Sequence, residues 1–325
     1  MILLLLLVTT IPTLLYVVML WWLDKYEKES WWLFLSAFAY GCLPAVILSI
    51  ILELLIEMPF AGIGGDTEPL GMVLVAPFVE ELIKGLAVLL IFLIFRREFD
   101  GVLDGIIYGA VIGFGFAMVE NALYFVDTAM DLGVIVLRTV PFGWNHAVFT
   151  ALTGAGLGLA RQSKHRWLWL LLFPLSLGIG IFFHTVHNFS VGTGECLGVI
   201  LALTSDWGGI IVLLVVAILT WGQEKRLIRQ ELTEEVANGL LAAADLQALL
   251  YLSRRIGARL WTWRHKGWQA FRLLGRFFYL ATELAFRKHH LRRGTADPSW
   301  TEEVQTLRLQ IWKIRQQILA VESVR

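Results

Sequence analysis

The sequence predicts an all-α protein: a polytopic membrane helical bundle of about seven transmembrane helices, followed by a basic helical region on the cytoplasmic side. Three observations carry this. The chain is 57% hydrophobic over 325 residues, above the roughly 45–50% apolar content of soluble domains. Seven apolar segments reach about 20 residues, the length that crosses a hydrocarbon core. The formal net charge of zero hides a division: residues 1–223 hold 9 Lys and Arg against 17 Asp and Glu, and residues 224–325 hold 18 against 10. The chain therefore reads as a transmembrane domain, residues 1–223, and a basic helical tail, residues 224–325.

The apolar segments run 1–23, 31–56, 71–95, 102–126, 133–160, 167–190 and 199–222. The first has no basic leader and no small-residue cleavage site, so it reads as a retained anchor. The first, third and fifth connections carry Lys25 and Lys28, Arg96 and Arg97, and Arg161, Lys164 and Arg166. The second, fourth and sixth carry only acids, such as Asp66, Glu68, Asp131 and Glu195. The positive-inside rule then places the N-terminus outside and the C-terminus in the cytoplasm, in what reads as a prokaryotic cell membrane. Gly101, Gly105, Gly109 and Gly113 recur every four residues, as do Gly154 and Gly158, a small-residue stripe that lets helices approach closely in lipid. Cys42 and Cys196 lie in separate segments and offer neither a disulfide framework nor a metal knuckle.

The tail keeps helical periodicity through Leu227, Glu231, Leu240, Leu241, Leu246 and Leu249. Ser299 followed by Glu302 reads as a capping box opening a last helix to about residue 322. Around residues 254–280 Arg and Lys interleave with Trp and Phe. That composition suits either a helix lying on anionic lipid or a plain helical bundle. No nucleic-acid recognition motif is present, and nucleic acid is not expected as a partner.

Charged groups inside the spans cost at least about 2.5–3.5 kcal/mol each. With the orientation above, Glu80 and Glu81 lie roughly 14 Å below the outer edge, Glu120 and His184 about 9 Å, His146 about 19 Å and His187 about 4 Å. Lys84 follows Glu80 by four residues and Glu81 by three, so it can neutralise one of them. Carboxylates and imidazoles at shared depth on four successive helices suit a zinc ion, with a nearby Glu left to activate water. Asn121, Asn145 and Asn188 could donate to a ligand carboxylate or to an oxyanion. Arg138 reads as an interfacial anchor and Asp104 as a helix N-terminal residue.

The ordered set Glu80-Glu81-x-x-Lys84, Phe116-x-x-x-Glu120, His146-Ala147 and His184-x-x-x-Asn188 resembles the PrsW family of intramembrane proteases, related to the CAAX prenyl endopeptidases. The resemblance covers about residues 30–190 and leaves the basic tail unexplained. It implies an intramembrane metalloendopeptidase acting on a membrane-anchored protein near the extracytoplasmic side. In that reading Glu80 or Glu81 is the catalytic base, Glu120, His146 and His184 bind a metal, expected to be Zn²⁺, and Asn188 acts catalytically as an oxyanion or positioning group. The family often has Asp where this chain has Asn188, and an Asn cannot be a base. The competing reading is a transporter or proton pathway built on the same Glu, Lys and His cluster. The lack of an internal repeat speaks against it. A non-catalytic scaffold whose tail recruits a partner is a third reading.

Overall fold

The computed structural model describes residues 2–24, 26, 29–60, 70–293 and 300–323. Among them every regular element is helical. Two compact units are present, residues 1–24 with 28–218, and residues 25–27 with 219–325.

In the first unit, α1 (Ile2–Leu23) and α2 (Trp31–Glu57) are long apolar helices. Within α2, Gly41–Ala45 form a π-helical turn containing Pro44, because proline supplies no N–H to the α-helical ladder. A second π turn, Gly71–Val75, leads into α3 (Ala76–Ile94), which carries Glu80, Glu81 and Lys84. Then follow α4 (Val102–Asp127), α5 (Leu132–Thr139), α6 (Asn145–Gln162), α7 (Trp169–Gly192) and α8 (Cys196–Ala237). Helices α1, α2, α4, α7 and α8 are each long and apolar enough to cross a membrane. The two remaining expected spans are α3, with its charged residues, and the segment 133–160.

That fifth segment is not one helix. It breaks between α5 and α6 at residues 140–144, where Pro141 and Gly143 fall. The Tyr16 hydroxyl donates to the Thr139 carbonyl at 2.6 Å, and the Trp207 indole donates to the Pro141 carbonyl at 3.1 Å. The break thus consumes carbonyls that the α-helical ladder would otherwise use, and it puts the N-terminus of α6, with His146, inside the bundle.

Helix α4 is the centre of the unit; residues 105–117 are buried throughout. It packs on α6 through the glycine stripe. A Cβ on Gly105 would strike the Gly154 carbonyl, and one on Gly113 would strike the backbone of His146. At its other end Asp104 accepts from the backbone N–H groups of Asp100 and Gly101, at 2.9 and 2.6 Å, the helix-terminal role its position suggested.

The second unit contains the rest of α8 with α9 (Ala243–Leu250), α10 (Leu252–Arg293) and α11 (Trp300–Ser323). Helix α10 is two helices joined at Gly267, whose φ of 85° suits glycine. Its core includes Ile228, Leu232, Leu249, Phe277, Leu284 and Ile311. Around it, Glu235 accepts from Arg308 and from Lys288, each at 2.6 Å, and Glu231 accepts from Arg292 at 2.8 Å. The tail therefore has a packed bundle of its own. The exposed stripe Ile256, Leu260 and Trp263 still presents apolar side chains at helical spacing. The expected Ser299–Glu302 capping box begins outside the described residues.

Candidate active site

The site is assembled from α3, α4, α6 and α7. Successive residues of a helix point about 100° apart, so Glu80 and Glu81 take different environments while Lys84, one turn on, reaches both. Lys84 Nζ lies 2.6 Å from Glu81 Oε1 and 3.4 Å from Glu80 Oε2. It also lies 3.3 Å from His146 Nδ1 and 4.2 Å from the centre of the Phe116 ring. No part of the Lys84 side chain is exposed. An ammonium so buried is tolerated only because carboxylates surround it.

The two carboxylates differ. Glu81 is fully buried, and both its oxygens are engaged. Oε1 meets Lys84 and, at 3.1 Å, His184 Nδ1; Oε2 accepts from the Thr150 hydroxyl at 3.0 Å. Glu80 is held more loosely, 3.4 Å from Lys84 and 3.8 Å from His146 Nδ1, and its side chain is 9% exposed.

His146 stands at the first turn of α6. Its Nε2 is 2.7 Å from Glu120 Oε2, and its ring lies edge-on to that of His184, with centroids 4.9 Å apart. Glu120 is held in turn by Arg138, which donates to its Oε2 at 2.8 Å and to Asn121 Oδ1 at 2.7 Å. Arg138, read from sequence as an interfacial anchor, is thus an ion-pair partner of the cluster, and its guanidinium sits over the Tyr124 ring.

Glu80, Glu81, His146 and His184 each offer a donor atom, and these atoms all lie within 4.8 Å of one another. Two carboxylates and two imidazoles are a donor set zinc accepts, so the residues fit a metal. Glu120, expected as a ligand, lies outside this group of four and faces His146 and Arg138. Asn188, expected to act catalytically, is partly exposed and donates to the Met72 carbonyl at 2.9 Å, the start of the third span. The structure also brings in residues that the sequence reading passed over. Thr150 supports Glu81, and Asp206 on α8 lies 2.7 Å from His187 Nδ1. A hydroxyl or a single Asp in an apolar run gives no spacing signal, so neither could be read from a motif.

Fold and site together define a multi-pass helical membrane protein with a buried Glu, His and Lys centre. The model of the PrsW family intramembrane metalloprotease matches residues 29–222, and the chain belongs to that family. Protease PrsW of Geobacillus kaustophilus is 28% identical over 183 residues, 55% of this chain and 76% of the relative. That of Clostridioides difficile is 29% identical over 201 residues, 61% and 79%, and that of Bacillus subtilis 28% over 169 residues, 51% and 72%. No solved structure matches the chain. The protein is thus an intramembrane protease by family, and its relatives are bacterial.

Proposed function

We propose that the chain hydrolyses a membrane-anchored protein near the extracytoplasmic side, with Glu80 as general base and zinc as the metal. The single observation that carries this is the group of four buried donors with Glu80 its least constrained member. A metal ion would be held by His146, His184 and Glu81, and would supply an electrophile for the scissile carbonyl and acidity for a water molecule. Glu80 takes the proton from that water and returns it to the departing amine nitrogen. Glu81, fixed by Lys84, Thr150 and His184, holds the His184 ring. Glu120, braced by Arg138, orients His146, the part an outer carboxylate plays for a ligating imidazole. This moves Glu120 from ligand to orienting group and leaves Asn188 supporting the entry of the third span.

The extracytoplasmic placement is supported by the basic-residue asymmetry of the connections. It puts the N-terminus outside and the tail in the cytoplasm, where exposed Ile256, Leu260 and Trp263, beside Arg264 and Lys266, suit anionic lipid.

The test uses detergent-purified protein and a single-span peptide carrying its cleavable segment on the extracytoplasmic side. About one zinc per chain, lost in His146→Ala and His184→Ala, is expected, with cleavage abolished in Glu80→Gln. Cleavage that survives chelation, or that persists in Glu80→Gln, overturns the reading.

A further inference from the structure

A second chain of buried polar groups runs beside the four donors. Asp206 on α8, His187 on α7 and Asn145 at the start of α6 are all buried. Asp206 Oδ2 lies 2.7 Å from His187 Nδ1. A carboxylate only accepts, so Nδ1 carries the proton and Nε2 is left as an acceptor. Asn145 Nδ2 lies 3.3 Å from His187 Nε2 and donates to it. That fixes the amide, whose Oδ1 accepts the backbone N–H of His146 at 2.7 Å. The other oxygen of Asp206 is buried and has no hydrogen-bond partner among the described residues. Phe142, in the break between α5 and α6, meets the His187 ring edge-on with centroids 4.8 Å apart.

The chain of bonds ends where it matters. The first N–H groups of a helix have no partner within it, so the first turn of α6 takes its position from whatever accepts them. His146 sits in that turn, just after the break at residues 140–144 that parts α6 from α5.

We propose that Asp206 and His187 are positioning residues: through Asn145 they fix the first turn of α6 and hold the His146 ring against Glu80 and Glu120. The proposal rests on the reading of His146 as part of the metal site and brings the seventh span into the catalytic centre. Both residues act through Asn145 and not on substrate. Outer partners of this kind change metal affinity or activity by about 10–100-fold.

The full chain is labelled with ¹⁵N-histidine in detergent, and the His146 ring signal is identified by its loss in His146→Gln. Spectra are recorded after chelation and then during titration with zinc. In His187→Phe and in Asp206→Leu the metal-free His146 signal is expected to shift alike, and the double variant to shift no further. Zinc affinity is expected to fall about 10–100-fold in both. Asp206→Asn keeps an oxygen acceptor for Nδ1–H and is expected to stay near wild type. An unmoved His146 signal in either folded variant overturns the proposal. A wild-type signal that ignores zinc overturns the metal reading instead, while the metal-free spectra still decide the positioning role.

Discussion

Lys84 neutralises the site from within. It touches Glu81, Glu80 and His146 at once and is wholly buried. Removing one partner of a buried ion pair costs about 3–5 kcal/mol, because the other charge stays behind. Lys84→Met is therefore expected to lower stability by about that amount, read as a fall in unfolding midpoint in detergent. An unchanged midpoint would mean that the carboxylates are compensated elsewhere. Thr150→Val keeps the shape but removes the donor to Glu81 Oε2, and about 1–3 kcal/mol of destabilisation is expected. At this scale the sequence was readable only along a single helix. The Glu80, Glu81 and Lys84 spacing announces their contact. The Arg138 bonds to Asn121 and Glu120 span 17 and 18 residues, and that of Thr150 to Glu81 spans 69. No periodicity records pairs that only tertiary packing creates.

Among elements, the crossing of α4 over α6 decides how close the site's helices come. At Gly154 an added Cβ would run into the Gly105 backbone, which cannot swing aside like a side-chain tip. Gly154→Val is expected to cost about 1–3 kcal/mol or more and to reduce cleavage by displacing His146, which rides on the same helix. Gly178→Ala, with nothing within 4 Å of the new methyl, is the matched control and is expected to be silent. A silent Gly154→Val would show that the two helices can separate without harm. The glycine stripe made this crossing legible in advance. The break in the fifth segment was less so, because Pro141 and Gly143 suggest a loosened turn but not its direction. That direction is set by Tyr16 and Trp207, on helices distant in sequence.

At the scale of the molecule, the second unit is a packed bundle stitched by ion pairs. Burial pushes the Glu235 carboxyl up, but bonds from Arg308 and Lys288 outweigh it and hold the group below the ordinary glutamate range. A lowered folded value contributes stability above the unfolded value, about 4.3, and that contribution is lost as pH falls through the folded one. Residues 219–325 are expected to become protease-sensitive as the pH drops below about 4.3, and Arg308→Ala to move that onset to higher pH. An onset that Arg308→Ala leaves in place would place the acid-sensitive group elsewhere. The first unit has a different economy of charge, and it bears on how the protein is made. Glu80, Glu81 and Glu120 are already faced by two fixed cations, Lys84 and Arg138, so the newly synthesised chain carries its own counter-ions into the bilayer. Insertion and helix assembly can then be completed before any metal is acquired, unlike zinc fingers, which are unfolded without theirs. On the proposed metal-dependent mechanism, loading would then be a late maturation step, one that keeps a folded protease silent until the ion is supplied.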